Sequence, residues 1–152
     1  QRSMHYFRRI AELVLAPVLA DDHVHIKRVA TSRAASFVKV AVDTYRSGED
    51  VIAACKPLLY EFRTYTSRTI ALVKYHSELE SYIREALAPA PSRSVRRVDV
   101  YREEHQARVI VERGTIAQFL GRKGMNAAVA SKLTGYGLVL VDEGDLGKVG
   151  GA

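Results

Sequence analysis

The chain has 152 residues, 47% hydrophobic and 26% charged, which is enough apolar material for the core of one domain or of two small ones. A formal net charge of +6 and a pI near 9.6 suit an anionic partner, and a single cysteine excludes an intramolecular disulfide. No apolar run approaches the ~20 residues of a membrane-spanning helix and no signal peptide is visible, so the expectation is a cytoplasmic protein with no membrane partner.

Met4 reads as an initiator preceded by Gln1-Arg2-Ser3 as a vector remnant, or the chain is a piece of something longer. From Tyr6 to Leu19 the apolar residues Phe7, Ile10, Leu13, Val14 and Val18 recur at helical spacing, with Pro17 near the end. His23 to Thr31 and Ser36 to Thr44 read as strands, the second alternating Val38, Val40 and Val42. One helix is expected from Glu49 and another from about Leu58 to Tyr65, followed by a strand from Thr69 to Val73. Cys55 falls on the apolar face of its helix, the place of a buried thiol. Ser77 is placed to cap a helix running through Leu87, with Glu80 at the capping-box position, and Pro89 and Pro91 mark a boundary. Strands follow at Ser94 to Arg102, carrying Val95, Val98 and Val100, and at Ala107 to Glu112, with Val109 and Val111.

The segment after these strands carries the most information. Ile116, Phe119 and Leu120 form an apolar helical turn that runs into Gly121-Arg122-Lys123-Gly124, and a second helix starts at once with Met125 and Asn126 and continues through Val129, Ala130 and Leu133. Thr134-Gly135-Tyr136-Gly137 then turns into the strand Leu138 to Val141. Two glycines without Cβ atoms let backbone approach a phosphate closely, the following helix offers its positive end, and Arg122 and Lys123 add charge at the same spot. Helix, GxxG, helix and strand in this order is the arrangement of a KH module, which clamps single-stranded RNA along its backbone. In this reading Gly121 and Gly124 give backbone access, Arg122 and Lys123 neutralise phosphates, Met125 and Asn126 contact a nucleotide, and Ile116, Leu120, Val129 and Leu138 line an apolar groove for bases. The charge is concentrated here: nine Arg and Lys (93, 96, 97, 102, 108, 113, 122, 123, 132) stand against four acids (99, 103, 104, 112) between Arg93 and Lys132.

The segment from about Val95 to Val141 resembles the second KH domain of the NusA transcription elongation and antitermination factors, whose signature is roughly Ile-Gly-x-x-Gly-Gln-Asn-Val-x-Leu-Ala-x-x-Leu-Thr-Gly-Trp/Tyr. The matching residues are Leu120, Gly121, Gly124, Asn126, Ala130, Leu133, Thr134, Gly135 and Tyr136, while Met125 stands where the family usually has Gln and Ala128 where it often has Arg. Upstream, Asp50 to Cys55 resembles the family's Asp-Pro-Val-Gly-Ala-Cys, Arg68 to Val73 its Glu-Lys-Ile-Asp-Ile-Val, and Glu85 to Ala90 its Asn-Ala-Leu-Ser-Pro-Ala. The resemblance implies an α+β fold of two tandem type II KH domains, each a three-stranded sheet packed by helices. The boundaries expected are a first domain over 4–88, a second over 89–143 and a flexible Gly-rich tail over 144–152. Where the first copy should carry Val-Gly-Pro-Arg-Gly, this chain has Lys56-Pro57-Leu58-Leu59-Tyr60, so its phosphate cradle is expected to be lost. By the same resemblance the role would be to modulate transcription elongation, pausing, termination or antitermination, with single-stranded RNA as the ligand and RNA polymerase or other transcription factors as further partners.

Other chemistries find little support. His23 and His25 share one strand face with no third ligand at a suitable spacing, Asp21-Asp22 reads as a turn, and Glu103-Glu104 reads as the mouth of a hairpin. Tyr60, Tyr65, Tyr75 and Tyr82 fit structural positions on several elements. No nucleophile and base arrangement is present, so neither an enzyme, a cofactor, a metal nor a small-molecule substrate is expected. The alternative is a protein-interaction module that docks through an apolar patch at Lys56 to Tyr60, with RNA binding secondary.

Overall fold

The computed structural model describes residues 4–19, 24–32, 36–44 and 48–150. The chain divides into two compact units, Gln1–His76 and Ser77–Ala152. Asp21, Asp22 and His23 lie outside the described residues.

In the first unit helices α1 (Met4–Val14) and α2 (Ala16–Leu19) precede strands β1 (Val24–Thr31) and β2 (Phe37–Thr44), helix α3 (Gly48–Thr66) and strand β3 (Thr69–Lys74). The sheet order is β1-β2-β3, with β2 antiparallel to β1 and parallel to β3. The alternation expected of β2 holds: Val38, Val40 and Val42 are buried against Phe7, Ala11 and Leu15 from the N-terminal helices and Cys55 and Phe62 from α3. Packing this apolar layer is worth about 1.5–3 kcal/mol for each large side chain removed from water. On the other side of β2, Lys39 is also fully buried, and burial pushes its ammonium down to about 7.

One expectation changes here. Two helices were expected across Glu49 to Tyr65; the structure has one helix, α3, with Pro57 inside it. Proline removes the bond its N–H would make to the carbonyl of Ala53, but Ala53 and Pro57 are both exposed, where water can take that place.

The second unit repeats the order. Helix α4 (Leu79–Ala86) precedes strands β4 (Val95–Tyr101) and β5 (Gln106–Val111), helices α5 (Ile116–Leu120) and α6 (Met125–Thr134), strand β6 (Gly137–Asp142) and helix α7 (Glu143–Gly150). The sheet order is β4-β5-β6, again antiparallel and then parallel. Val98, Val109 and Val111 of the sheet, Ile83, Ala86 and Leu87 around α4, and Phe119, Val129 and Leu133 of the α5–α6 segment are all buried. The molecule is therefore α+β, with two three-stranded sheets packed by helices.

Two boundaries differ from expectation. Helix α4 was expected inside a first domain over 4–88, yet it packs in the second unit: the Tyr82 hydroxyl donates to the Leu133 carbonyl at 3.1 Å and the Arg84 guanidinium donates to the Val95 carbonyl. Its buried face of Tyr82, Ile83 and Ala86 finds its partners in β4 and α6. The expected cap also differs, because Glu78 is the N-cap residue and makes no side-chain capping bond, while Ser81 Oγ donates to Glu78 Oε1 at 2.5 Å. The second difference is the tail: of 144–152, expected to be flexible, 144–150 belong to helix α7.

Candidate nucleic-acid interface

The site is built from the turn that leaves β5. Thr115 Oγ1 donates to the Glu112 carbonyl at 2.6 Å, and Gly114 takes a positive φ of 81°. Two acids at the end of β6 hold this turn: Asp142 Oδ2 accepts from the Gly114 N–H and Glu143 Oε2 from the Arg113 N–H, each at 2.9 Å. The Arg113 N–H, followed by the attraction of Arg96 at 3.4 Å, holds the Glu143 carboxyl below the usual carboxylate range. Sequence reading missed these two acids because their partners are backbone N–H groups about thirty positions earlier, and no local pattern records that.

Helix α5 anchors itself through Phe119, which is fully buried, and leaves Leu120 40% exposed at its end. The chain then turns through the glycine segment. Gly121 has φ 75° and ψ 177°, Lys123 has φ 57° and Gly124 has φ 72°. The Gly121 N–H donates to the Ala117 carbonyl and the Gly124 N–H to the Gly121 carbonyl, both at 3.0 Å. The two glycines serve different purposes. A Cβ on Gly121 would lie 2.6 Å from the Asn126 Cβ, so glycine is required there for packing as well as for φ. A Cβ on Gly124 would meet nothing within 4 Å, so that backbone faces open space. Arg122 and Lys123 are both exposed, and neither forms an ion pair among the described residues.

The ten predicted site residues fall into three groups. Gly121, Arg122, Lys123 and Gly124 form one tip, with half-buried Met125 opening α6 behind it. Ile116 and Leu120 on α5 and Leu138 on β6 lie on packed neighbouring elements and are at least partly accessible; the Leu138 N–H is tied to α6 by donating to Ser131 Oγ at 3.1 Å. Asn126 and Val129 stand elsewhere. Val129 is fully buried, in the core rather than lining a groove. Asn126 is 5% exposed, and its Nδ2 donates to the Leu87 and Phe119 carbonyls, both at 2.9 Å. Its amide nitrogen is committed to tying the end of α5 to the chain after α4, and its buried Oδ1 has no hydrogen-bond partner among the described residues, so the side chain positions the tip from inside instead of facing a nucleotide.

The equivalent segment of the first unit has no tip. Counted back from the helix ends, Thr66 and Thr134 correspond: Thr66 Oγ1 donates to the Phe62 carbonyl at 2.7 Å and Thr134 Oγ1 to the Ala130 carbonyl at 2.9 Å. Ser67 and Gly135 follow them with φ 57° and 79°. On this count the places of Gly121 and Gly124 fall on Ala53 and Lys56, inside the unbroken α3, and not on Pro57 and Tyr60, where the Val-Gly-Pro-Arg-Gly alignment puts its glycines. Leu58 and Leu59 pack against the core, which removes the apolar patch expected there. Tyr82 is buried as a structural residue and Tyr75 lies beneath Lys27 Nζ at 5.2 Å, whereas Tyr60 and Tyr65 are 76% and 70% exposed. Cys55 is buried and its thiol is pushed up by that burial. Among the described residues no group of His, Cys, Asp and Glu could hold a metal ion, and no helix is long and apolar enough to cross a membrane.

Comparison with known proteins fits this geometry. The NusA-like second KH domain family matches residues 79–148, the span that begins with α4 and ends within α7. Transcription termination/antitermination protein NusA of Halalkalibacterium halodurans is 28% identical over 148 residues, covering 94% of this chain and 37% of that protein. The Mycobacterium bovis NusA is 30% identical over 125 residues, covering 79% of this chain and 35% of that protein. The Rickettsia prowazekii NusA is 26% identical over 135 residues, covering 84% and 26%. The chain therefore spans roughly a third of the length of these relatives. Among solved structures, that titled APE1850 superposes with a TM-score of 0.59 at 18% identity, over 88% of this chain and 96% of that one, which is a likeness of fold. The chain is thus similar over most of its length to the NusA transcription termination/antitermination proteins, and its residues 79–148 match the NusA-like second KH domain family.

Proposed function

We propose that the chain is a pair of tandem type II KH domains, 4–76 and 77–150, that binds single-stranded RNA without catalysing a reaction, and that the second domain is the working site. The observation that carries this is the tip: two glycines at positive φ, the backbone of Gly124 facing open space, and, just before α6, two exposed cations with no ion-pair partner among the described residues. Ile116, Leu120 and Leu138 supply the apolar side of the groove, and Asn126 holds the tip in place. In the cytoplasm such a protein would act, as the names of its relatives suggest, on transcription elongation, pausing, termination or antitermination, with RNA polymerase as a further partner.

Arg122→Asp with Lys123→Asp tests the site. Both side chains are exposed, so circular dichroism stays unchanged while affinity for single-stranded RNA falls sharply. For the unaltered protein, log affinity against log salt has a slope of about −2, from roughly −0.7 for each phosphate contact, and duplex DNA competes poorly. Equal or tighter binding to duplex DNA with a much steeper slope assigns binding to the basic surface as a whole.

A second reading, a protein-docking module, draws on one feature of the first unit. Ile10, Leu13, Val14, Glu61 and Tyr65 line a groove of about 340 Å³ between α1 and α3, with Leu13 70% exposed.

A further inference from the structure

The first unit lacks the glycine tip, but the outer face of α3 carries a different set of groups. Lys56, Tyr60, Arg63 and Ser67 follow one another at helical spacing, and all four are exposed, Tyr60 to 76%. Tyr60, Arg63, Thr64 and Ser67 line an open groove of about 510 Å³, within the range of sites that take small ligands. Thr64 turns its hydroxyl inward to the Tyr60 carbonyl at 3.1 Å, which leaves the Tyr60 ring and the Arg63 guanidinium as the groups presented there. Neither Lys56 nor Arg63 forms an ion pair among the described residues, and the nearest acid on the helix, Glu61, lines the apolar groove toward α1.

We infer that this face is a second single-stranded nucleic-acid site, in which a base stacks on Tyr60 and the phosphates on either side of it are held by Lys56 and Arg63. The chemistry selects this occupant. An aromatic ring flanked one turn away on each side by an exposed cation suits a stacked base in an anionic strand, because every base has a π-face and every linkage a negative charge. Among the described residues its lining is Tyr, Arg, Thr and Ser with no aliphatic side chain, so it suits an apolar protein segment less well than the α1–α3 groove does. The second unit has no counterpart: counted from Thr66 and Thr134, the place of Tyr60 is taken by Ala128. Each unit would then hold single-stranded nucleic acid by its own means, a backbone cradle in the second and a stacking face in the first. This inference rests on the chain being a single-stranded RNA binder but uses none of the tip residues.

The test uses the full chain and a fluorescein-labelled, 5-iodouridine-substituted single-stranded RNA. Photo-crosslinking is expected to mark the peptide containing Tyr60 as well as the one containing Gly121 to Met125. Tyr60→Ala should weaken binding about fivefold or more and remove the first crosslink only, while Tyr60→Phe retains both, since stacking needs the ring and not the hydroxyl. In the Arg122→Asp, Lys123→Asp background, residual binding should persist and be lost when Tyr60→Ala and Arg63→Glu are added. Unchanged affinity for Tyr60→Ala in both backgrounds, with no crosslink at Tyr60, overturns the inference while leaving the tip assignment to its own crosslink. Loss of a protein partner in place of RNA on Tyr60→Ala overturns it as well.

Discussion

Between its central and last strands each unit has a helical segment of the same length, Gly48–Thr66 in the first and Ile116–Thr134 in the second. Both end in a threonine bonded to its own helix, a residue at positive φ, and a strand parallel to the central one. The first is one helix; the second breaks at Gly121 and resumes at Met125. The break exposes backbone and gathers charge, whereas the continuous helix offers only side chains. One scaffold thus presents two kinds of surface, and the choice rests on whether glycine can take positive φ at two positions.

The largest expected effect concerns where one unit ends. A fragment from Ser77 to Ala152 should fold, whereas a fragment from Ala90 to Ala152 should not, because it lacks Tyr82, Ile83, Ala86 and Leu87 from the core. Losing three large buried side chains at about 2–5 kcal/mol each is comparable to the whole of the roughly 5–15 kcal/mol that holds a typical domain. Circular dichroism and urea unfolding of the two fragments decide this, and a cooperatively folded 90–152 fragment would restore the boundary at Pro89.

Next comes the break itself. Gly121→Ala should cost about 2–5 kcal/mol, since it adds a clash with Asn126 to the strain of positive φ, and RNA affinity should fall with it. Gly124→Ala should cost about 1 kcal/mol, because only the strain applies. The reciprocal change, Ala53→Gly in the first unit, should cost about 0.5–1 kcal/mol and create no RNA site, because α3 stays helical there. Equal losses for Gly121→Ala and Gly124→Ala in denaturant titrations would show that packing against Asn126 does not matter.

The smallest effect sharpens the comparison of the sheets. Phe37 pairs with Thr69 and Gln106 with Gly137 at the start of the parallel pairings, so Lys39 and Arg108 hold the same place on the central strands. Arg108 is half-buried and 3.7 Å from Asp99, whereas Lys39 is fully buried. Its folded pKa of about 7 lies below its ordinary value of 10.5, so the unfolded chain binds the extra proton between these values and stability rises with pH across that window. Lys39→Met should therefore stabilise the protein by up to a few kcal/mol below pH 7, and the gain should shrink toward pH 10. Arg108→Met should change stability by about 0–1 kcal/mol, as an exposed pair does. A Lys39→Met gain that is the same at pH 6 and pH 10 would mean that the ammonium does not titrate in the folded state.

The sequence by itself determined the features whose cause lies in adjacent residues. Alternating valines marked β2 and β5, the apolar turn before Gly121 marked α5, and the two glycines with two cations between them marked the tip, because φ preference, periodicity and charge act over a few positions. Tertiary structure decided which neighbour each element serves. Pro57 reads locally as a break, yet the packing of Cys55 and Phe62 on one side and water on the other keep α3 whole. Helix α4 precedes two prolines that look like a linker, but its apolar face is buried in the second unit. Asn126 stands in the motif as a polar residue beside the tip, and only the Leu87 and Phe119 carbonyls, one of them 39 positions away, turn it inward. Local preference fixes what a segment can form; burial, which depends on residues distant in sequence, decides which of its side chains remain available to a ligand.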